Sequence, residues 1–79
     1  MTLPRAILEA LDAAYDGPPI TVRTILGMIA NELPVRPTLS EVERACDRLE
    51  TRREIVSLND EDLGRVCKIT AQGRARALS

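Results

Sequence analysis

A threonine stands directly before each of four apolar-periodic stretches, at Thr2, Thr21, Thr38 and Thr70, and these positions constrain the 79-residue chain more tightly than any other feature. A threonine at a helix start accepts a hydrogen bond from a backbone N–H two or three residues on, satisfying a donor that the first helical turn leaves free. Each site therefore predicts where a helix begins. After Thr2 comes Pro4 in the first turn, then Ile7, Leu8, Leu11, Ala14 and Tyr15 at helical spacing. This predicts a helix over residues 3–16, ended by Gly17, Pro18 and Pro19. Ile20 is a brief extended piece. Thr21 then opens a second helix over residues 22–33, in which Val22, Ile25, Leu26, Ile29 and Leu33 repeat at three and four. Gly27 inside it costs about 1 kcal/mol relative to alanine, a penalty that implies a close helix crossing at that point.

"PVRP", Pro34 to Pro37, breaks the pattern, because Pro37 biases Arg36 to extended geometry. Both Thr38 with Glu41 and Ser40 with Glu43 fit the capping-box spacing. The Thr38 start is preferred, since it gathers Leu39, Val42, Ala45, Cys46 and Leu49 on one stripe of a third helix over residues 39–53. "EIVSL" then turns extended and β-branched, and "GRVCKIT" returns, giving a hairpin over residues 55–69. Cys67 and Ile69 share one face of the return strand, and Val66 and Lys68 the other. The bend between the strands holds Asp60, Glu61 and Asp62 in succession, and Thr70 caps a last helix over residues 71–78. The expected fold is one α+β, mainly helical domain over residues 1–79.

Composition narrows the chemistry. Phe, Trp and His are absent and there is one Tyr, so the core must come from Leu, Ile, Val, Ala and the two cysteines. Histidine-dependent acid–base catalysis and histidine-ligated metals are excluded. Cys46 and Cys67, with no second pair to make a metal site, read as reduced core side chains, a disulfide or redox role being the other reading. No apolar run approaches the roughly 18 to 20 residues that span a bilayer. "MTLPRAILEALDAAYD" carries acids where a signal peptide would be apolar. The expectation is a cytoplasmic protein with no cofactor.

Three stretches in this order carry a family resemblance: "ITVRTILGMIANEL", "PTLSEVERACDRLETRREIVSL" and "VCKITAQGRARAL". Together they resemble the strand and supporting helix, the recognition helix entering a first wing strand, and the second wing strand with its "LT-x-x-G-R" helix start, of a winged helix-turn-helix domain of MarR-like or PadR-like pattern. A narrower resemblance is to the small winged-helix proteins of Mu-like phages and prophages. The likeness implies a three-helix core, a β-hairpin wing and a short C-terminal helix. It also implies a bacterial or phage transcription regulator that lays its third helix in the major groove of double-stranded DNA, in some cases as a homodimer. Two features depart from the pattern. No glycine stands near Arg53 and Glu54, where the recognition helix usually ends, and the wing tip is acidic where relatives place Arg or Lys.

On the third helix, the rotation of about 100° per residue turns Ser40, Arg44, Asp47 and Thr51 away from the apolar stripe. Arg44, Arg48 and Arg52 form one ridge, with Glu43, Asp47 and Glu50 beside it. Arginine forks suit phosphates and guanine edges, so Ser40, Arg44, Arg48, Thr51 and Arg52 are the candidate groove contacts. Arg23, Arg36, Arg65 and Lys68, with Arg74 and Arg76, are candidates for neutralising phosphate. The net charge of −1 offers no general attraction to nucleic acid. A plainer reading pairs Arg44 locally with Glu41 and Asp47, each three residues away. In a second functional reading, Asp60, Glu61 and Asp62 meet a protein partner and DNA is not bound. The acidic bend has neither the cavity that carboxylate catalysis needs nor the twelve-residue ligand pattern of a Ca²⁺ loop, so no enzyme is expected.

Overall fold

The computed structural model describes residues 1–79, with four helices and three strands in the order α1 (Leu3–Ala13), β1 (Ile20–Thr21), α2 (Val22–Ile29), α3 (Leu39–Thr51), β2 (Ile55–Asp60), β3 (Gly64–Ile69) and α4 (Ala71–Leu78). All four threonines cap as their positions predict. Their hydroxyl oxygens accept from the backbone N–H groups of Arg5, Thr24, Glu41 and Gly73 respectively, at 3.4, 3.1, 3.2 and 3.0 Å. At α3 the capping box is complete, because the Glu41 carboxylate also accepts from the Thr38 N–H at 2.9 Å.

Three helices end sooner than predicted, the third by two residues only, at Thr51 rather than residue 53. The first stops at Ala13 rather than residue 16, and the chain tightens through Tyr15 N–H to Asp12 O and Gly17 N–H to Ala14 O. Pro18 and Pro19 force the approach to β1 into extended geometry, which leaves no room for another helical turn. Tyr15 is consequently exposed and off the apolar stripe, under the Arg74 guanidinium at 3.4 Å from the ring centre. The second helix stops at Ile29, and Glu32 N–H bonds back to Ile29 O in a turn that prepares the chain for Pro34. Leu33, though outside the helix, still packs on the core. Gly27 marks no close crossing. It is exposed, and a Cβ built there would meet nothing within 4 Å.

The third helix closes without glycine. Arg53 takes the left-handed conformation at φ 63°, while the N–H groups of Arg53 and Glu54 bond to Glu50 O and Leu49 O, both at 2.9 Å. This is the Schellman pattern with arginine where glycine is usual. It turns the chain sharply into β2.

β3 lies between β1 and β2 in an antiparallel sheet of order β1-β3-β2. Ile20 sits across from Cys67, Ser57 from Cys67, and Ile55 from Ile69, on the face turned to the helices. The core gathers Ile7, Ile25, Ile29, Val42, Cys46, Leu49, Ile55 and Cys67, all fully buried. Each large aliphatic side chain among them contributes about 2 kcal/mol through the water it sheds. α4 seats on this core through Gly73, where an added Cβ would lie 2.0 Å from Glu54 O. Glu54 itself is buried, with one carboxylate oxygen on Arg76 at 3.4 Å and the other unpartnered. No helix is long and apolar enough to cross a membrane.

Candidate nucleic-acid interface

The capping box fixes the phase of α3. With Val42, Ala45, Cys46 and Leu49 buried, Ser40, Arg44, Arg48 and Thr51 are all exposed on the opposite side, and Arg52 follows as the C-cap residue, also exposed. Ser40 has no side-chain partner, whereas the Thr51 hydroxyl donates to Asp47 O at 3.0 Å and keeps its acceptor lone pairs free.

The local ion pairs that could have occupied the arginine ridge do not form. Glu41 is engaged by Thr38, whose backbone N–H and hydroxyl hold its carboxyl below the usual range. Asp47 is taken by Arg65 at 2.7 Å. Arg44, Arg48 and Arg52 therefore carry unpaired guanidinium groups, and Arg53, which sequence reasoning did not single out, joins them as a fourth exposed and unpaired cation. The adjacent "RR" was its only signal.

Arg65 and Lys68 are placed differently from Arg44 and Arg48. Arg65 is mostly buried between the hairpin and α3. It donates to Ser57 Oγ at 3.2 and 3.1 Å, pairs with Asp47, and lies 4.0 Å from Glu50. It thus pairs with two of the three acids in the ridge beside the arginines, both of which stay exposed to solvent. Lys68 Nζ donates to Gly17 O, tying β3 to the turn before β1. Arg74 pairs with Asp12 at 2.9 Å and Arg76 with Glu54. Every cation after the acidic bend is thus bound to protein atoms.

Of the remaining candidates, Arg23 is exposed near the start of α2, in a hollow that also involves Leu39, Glu43, Gly64 and Arg65. Arg36 is exposed beside Leu33 and Glu41. Neither has an ion-pair partner.

In the acidic bend, Asp60 is a turn builder, its Oδ1 accepting from the N–H groups of Asp62 and Leu63 at 2.8 and 3.0 Å. Glu61 and Asp62 are exposed with unpaired carboxylates. The outer face of the hairpin carries Val56 and Leu58, 51% and 67% exposed, an apolar surface the sequence pattern had not suggested. Cys46 and Cys67 are both buried and free of disulfide, and the Cys67 thiol donates to Ser57 Oγ at 3.9 Å. The interaction between the two neighbouring thiols pushes Cys46 up and pulls Cys67 down.

Comparison with protein-family models, curated proteins and solved structures found no match for this chain.

Proposed function

We propose that this chain is a small winged helix-turn-helix DNA-binding protein, a transcription regulator of the bacterial or phage kind, that presents α3 to the major groove with β2 and β3 as its wing. The observation that carries the reading is the unpaired row Arg44, Arg48, Arg52 and Arg53 along the exposed side of α3 and its end, beside Asp47 and Glu50, which pair with Arg65 instead. Unpaired guanidinium groups on a solvent-facing helix hold their donors free for phosphate oxygens and guanine edges. Ser40 and Thr51 offer shorter contacts on the same side. Arg23 and Arg36 add charge from outside α3.

The test is retention of random duplex DNA through a salt series. With four to six phosphates neutralised by these arginines, the logarithm of the binding constant should fall with the logarithm of salt at a slope of about 4 to 5. Absence of retardation at low salt would sink this reading.

A second reading, a winged helix that contacts protein, is favoured by the exposed apolar hairpin face and the unpaired Glu61 and Asp62. It predicts that DNA fails to retard the chain.

A further inference from the structure

We propose that the free edge of β2 pairs with the same edge of a second copy of this chain, antiparallel about Ser57, joining two three-stranded sheets into one of six strands. The proposal does not depend on the DNA reading.

The sheet order β1-β3-β2 leaves one side of β2 unpaired. Glu54 O accepts from Thr70 N at 3.1 Å, which sets the alternation of the ladder. Val56, Leu58 and Asp60 accordingly direct their backbone groups at β3, while Ile55, Ser57 and Asn59 direct theirs to the open edge. Edge strands are commonly guarded by proline, lysine or a bulge. "IVSLND" has no such residue, and its register with β3 runs unbroken from Ile55 opposite Ile69 to Asp60 opposite Gly64.

The sequence around this edge is complementary to itself when reversed. Arg52 and Arg53 precede Ser57 by the same steps by which Asp62 and Glu61 follow it. Pairing centred on Ser57 therefore brings the basic entry to β2 in each copy, Arg52 and Arg53, alongside the acidic bend of the other, Glu61 and Asp62, both pairs lying just outside the strand. It also puts Val56 against Leu58 of the second copy, on the face where both are exposed. The six edge-directed residues, three from each copy, meet in the hydrogen-bonding phase that antiparallel pairing requires.

One like-charged opposition arises, Glu54 against Asp60, and each carboxylate already has a partner in its own copy through one of its oxygens. Glu54 is turned inward to Arg76, and Asp60 to its own bend. Centring on Val56 instead would set Leu58 against Glu54 and Arg53 against Asn59, losing both matches. Parallel pairing would bring the two acidic tips together. One short edge strand from each copy makes a contact smaller than the roughly 1,200 Å² of a standard interface, so the dimer is a weak one, to be sought at high protein concentration.

The experiment is sedimentation equilibrium on the full chain up to about 500 µM, at low and high salt, with circular dichroism to establish that each variant is folded. The wild type should dimerise, more weakly at high salt. Arg53→Glu and Glu61→Arg should each raise the dissociation constant on the order of tenfold, and the two combined should return it to within about threefold of wild type. Leu58→Lys should weaken the dimer without disturbing the β2–β3 ladder. A wild type that stays monomeric, a dimer indifferent to the single reversals, or one that the combined reversal fails to restore would overturn the proposal.

Discussion

Arg53 holds a conformation that costs a non-glycine residue about 1 to 2 kcal/mol, and it does so because the chain must turn within two residues from α3 into β2. Arg53→Gly should relieve that strain and stabilise the fold by about 1 kcal/mol after glycine's greater unfolded-state freedom is deducted. A shift of the urea midpoint to higher concentration, at unchanged slope, would show it. The glycines make the converse point. At Gly73 an added Cβ would sit against the Glu54 carbonyl and 2.8 Å from Ile69 Cγ1, so α4 must lift from the sheet. Gly73→Ala should cost about 2 to 3 kcal/mol in the same measurement. Gly27→Ala, in a helix with open space around it, should instead gain about 0.5 to 1 kcal/mol. If both glycine variants move stability the same way, the packing of α4 described here is wrong. Sequence periodicity cannot tell these two glycines apart, because only the arrival of Glu54 from elsewhere in the chain makes one of them irreplaceable.

At the level of elements, the helix starts were legible and the helix ends were not. A start is a local event, decided by Thr38 and Glu41 within one turn. The ends of α1 and α2 answer to Pro18, Pro19 and Pro34 and to where the next element must go, so apolar spacing through Tyr15 and Leu33 overran them. The outward phase of α3 followed from its apolar stripe, and the exposure of Arg44 and Arg48 agrees with it. What the spacing could not supply was the partner of each cation, since Arg65 reaches Asp47 across 18 positions of sequence. Arg44→Ala and Arg48→Ala, which break no bond in the fold, should leave stability within about 0.5 kcal/mol. Each should cost about 1 to 3 kcal/mol of affinity for a specific DNA site once one is found. Arg65→Ala should cost about 1 to 2 kcal/mol of stability, the range for a mostly buried cation whose carboxylate partners are largely in water. Loss of DNA affinity in that variant would follow from Asp47 and Glu50 losing their partner. The capping box adds a pH signature. The Glu41 carboxyl titrates below its unfolded value in the fold, so its contribution is present above the unfolded pKa and is lost as pH falls through the folded one. Denaturation midpoints followed down through the acid range should fall less steeply for Glu41→Gln than for wild type.

The whole molecule measures 33 × 26 × 22 Å, so a copy laid on a B-form duplex, whose repeat is roughly 34 Å, would cover no more than about one turn. Its charge is divided along the same scale. The cations after Gly64 are bound within the fold, and those left free belong to α2, the Pro34–Pro37 segment and α3 with its end. Attraction to a phosphate backbone would therefore come from the α3 side, and Asp60, Glu61 and Asp62 would oppose binding if they lay within about 8 Å of it, the Debye length at physiological salt. The unpaired state of Glu61 and Asp62 and the self-complementary edge beside them favour a tip held off the DNA. The variant carrying Asp60→Asn, Glu61→Gln and Asp62→Asn keeps an acceptor at position 60 for the bend and removes the three charges. Titrated against duplex DNA through the salt series, it should gain less than about threefold in affinity at low salt, the general effect of a more positive net charge. A gain beyond about tenfold at low salt that vanishes at high salt would put the tip against the backbone as a brake. That outcome would remove the held-away geometry and leave α3 reading DNA with the wing pressed beside it.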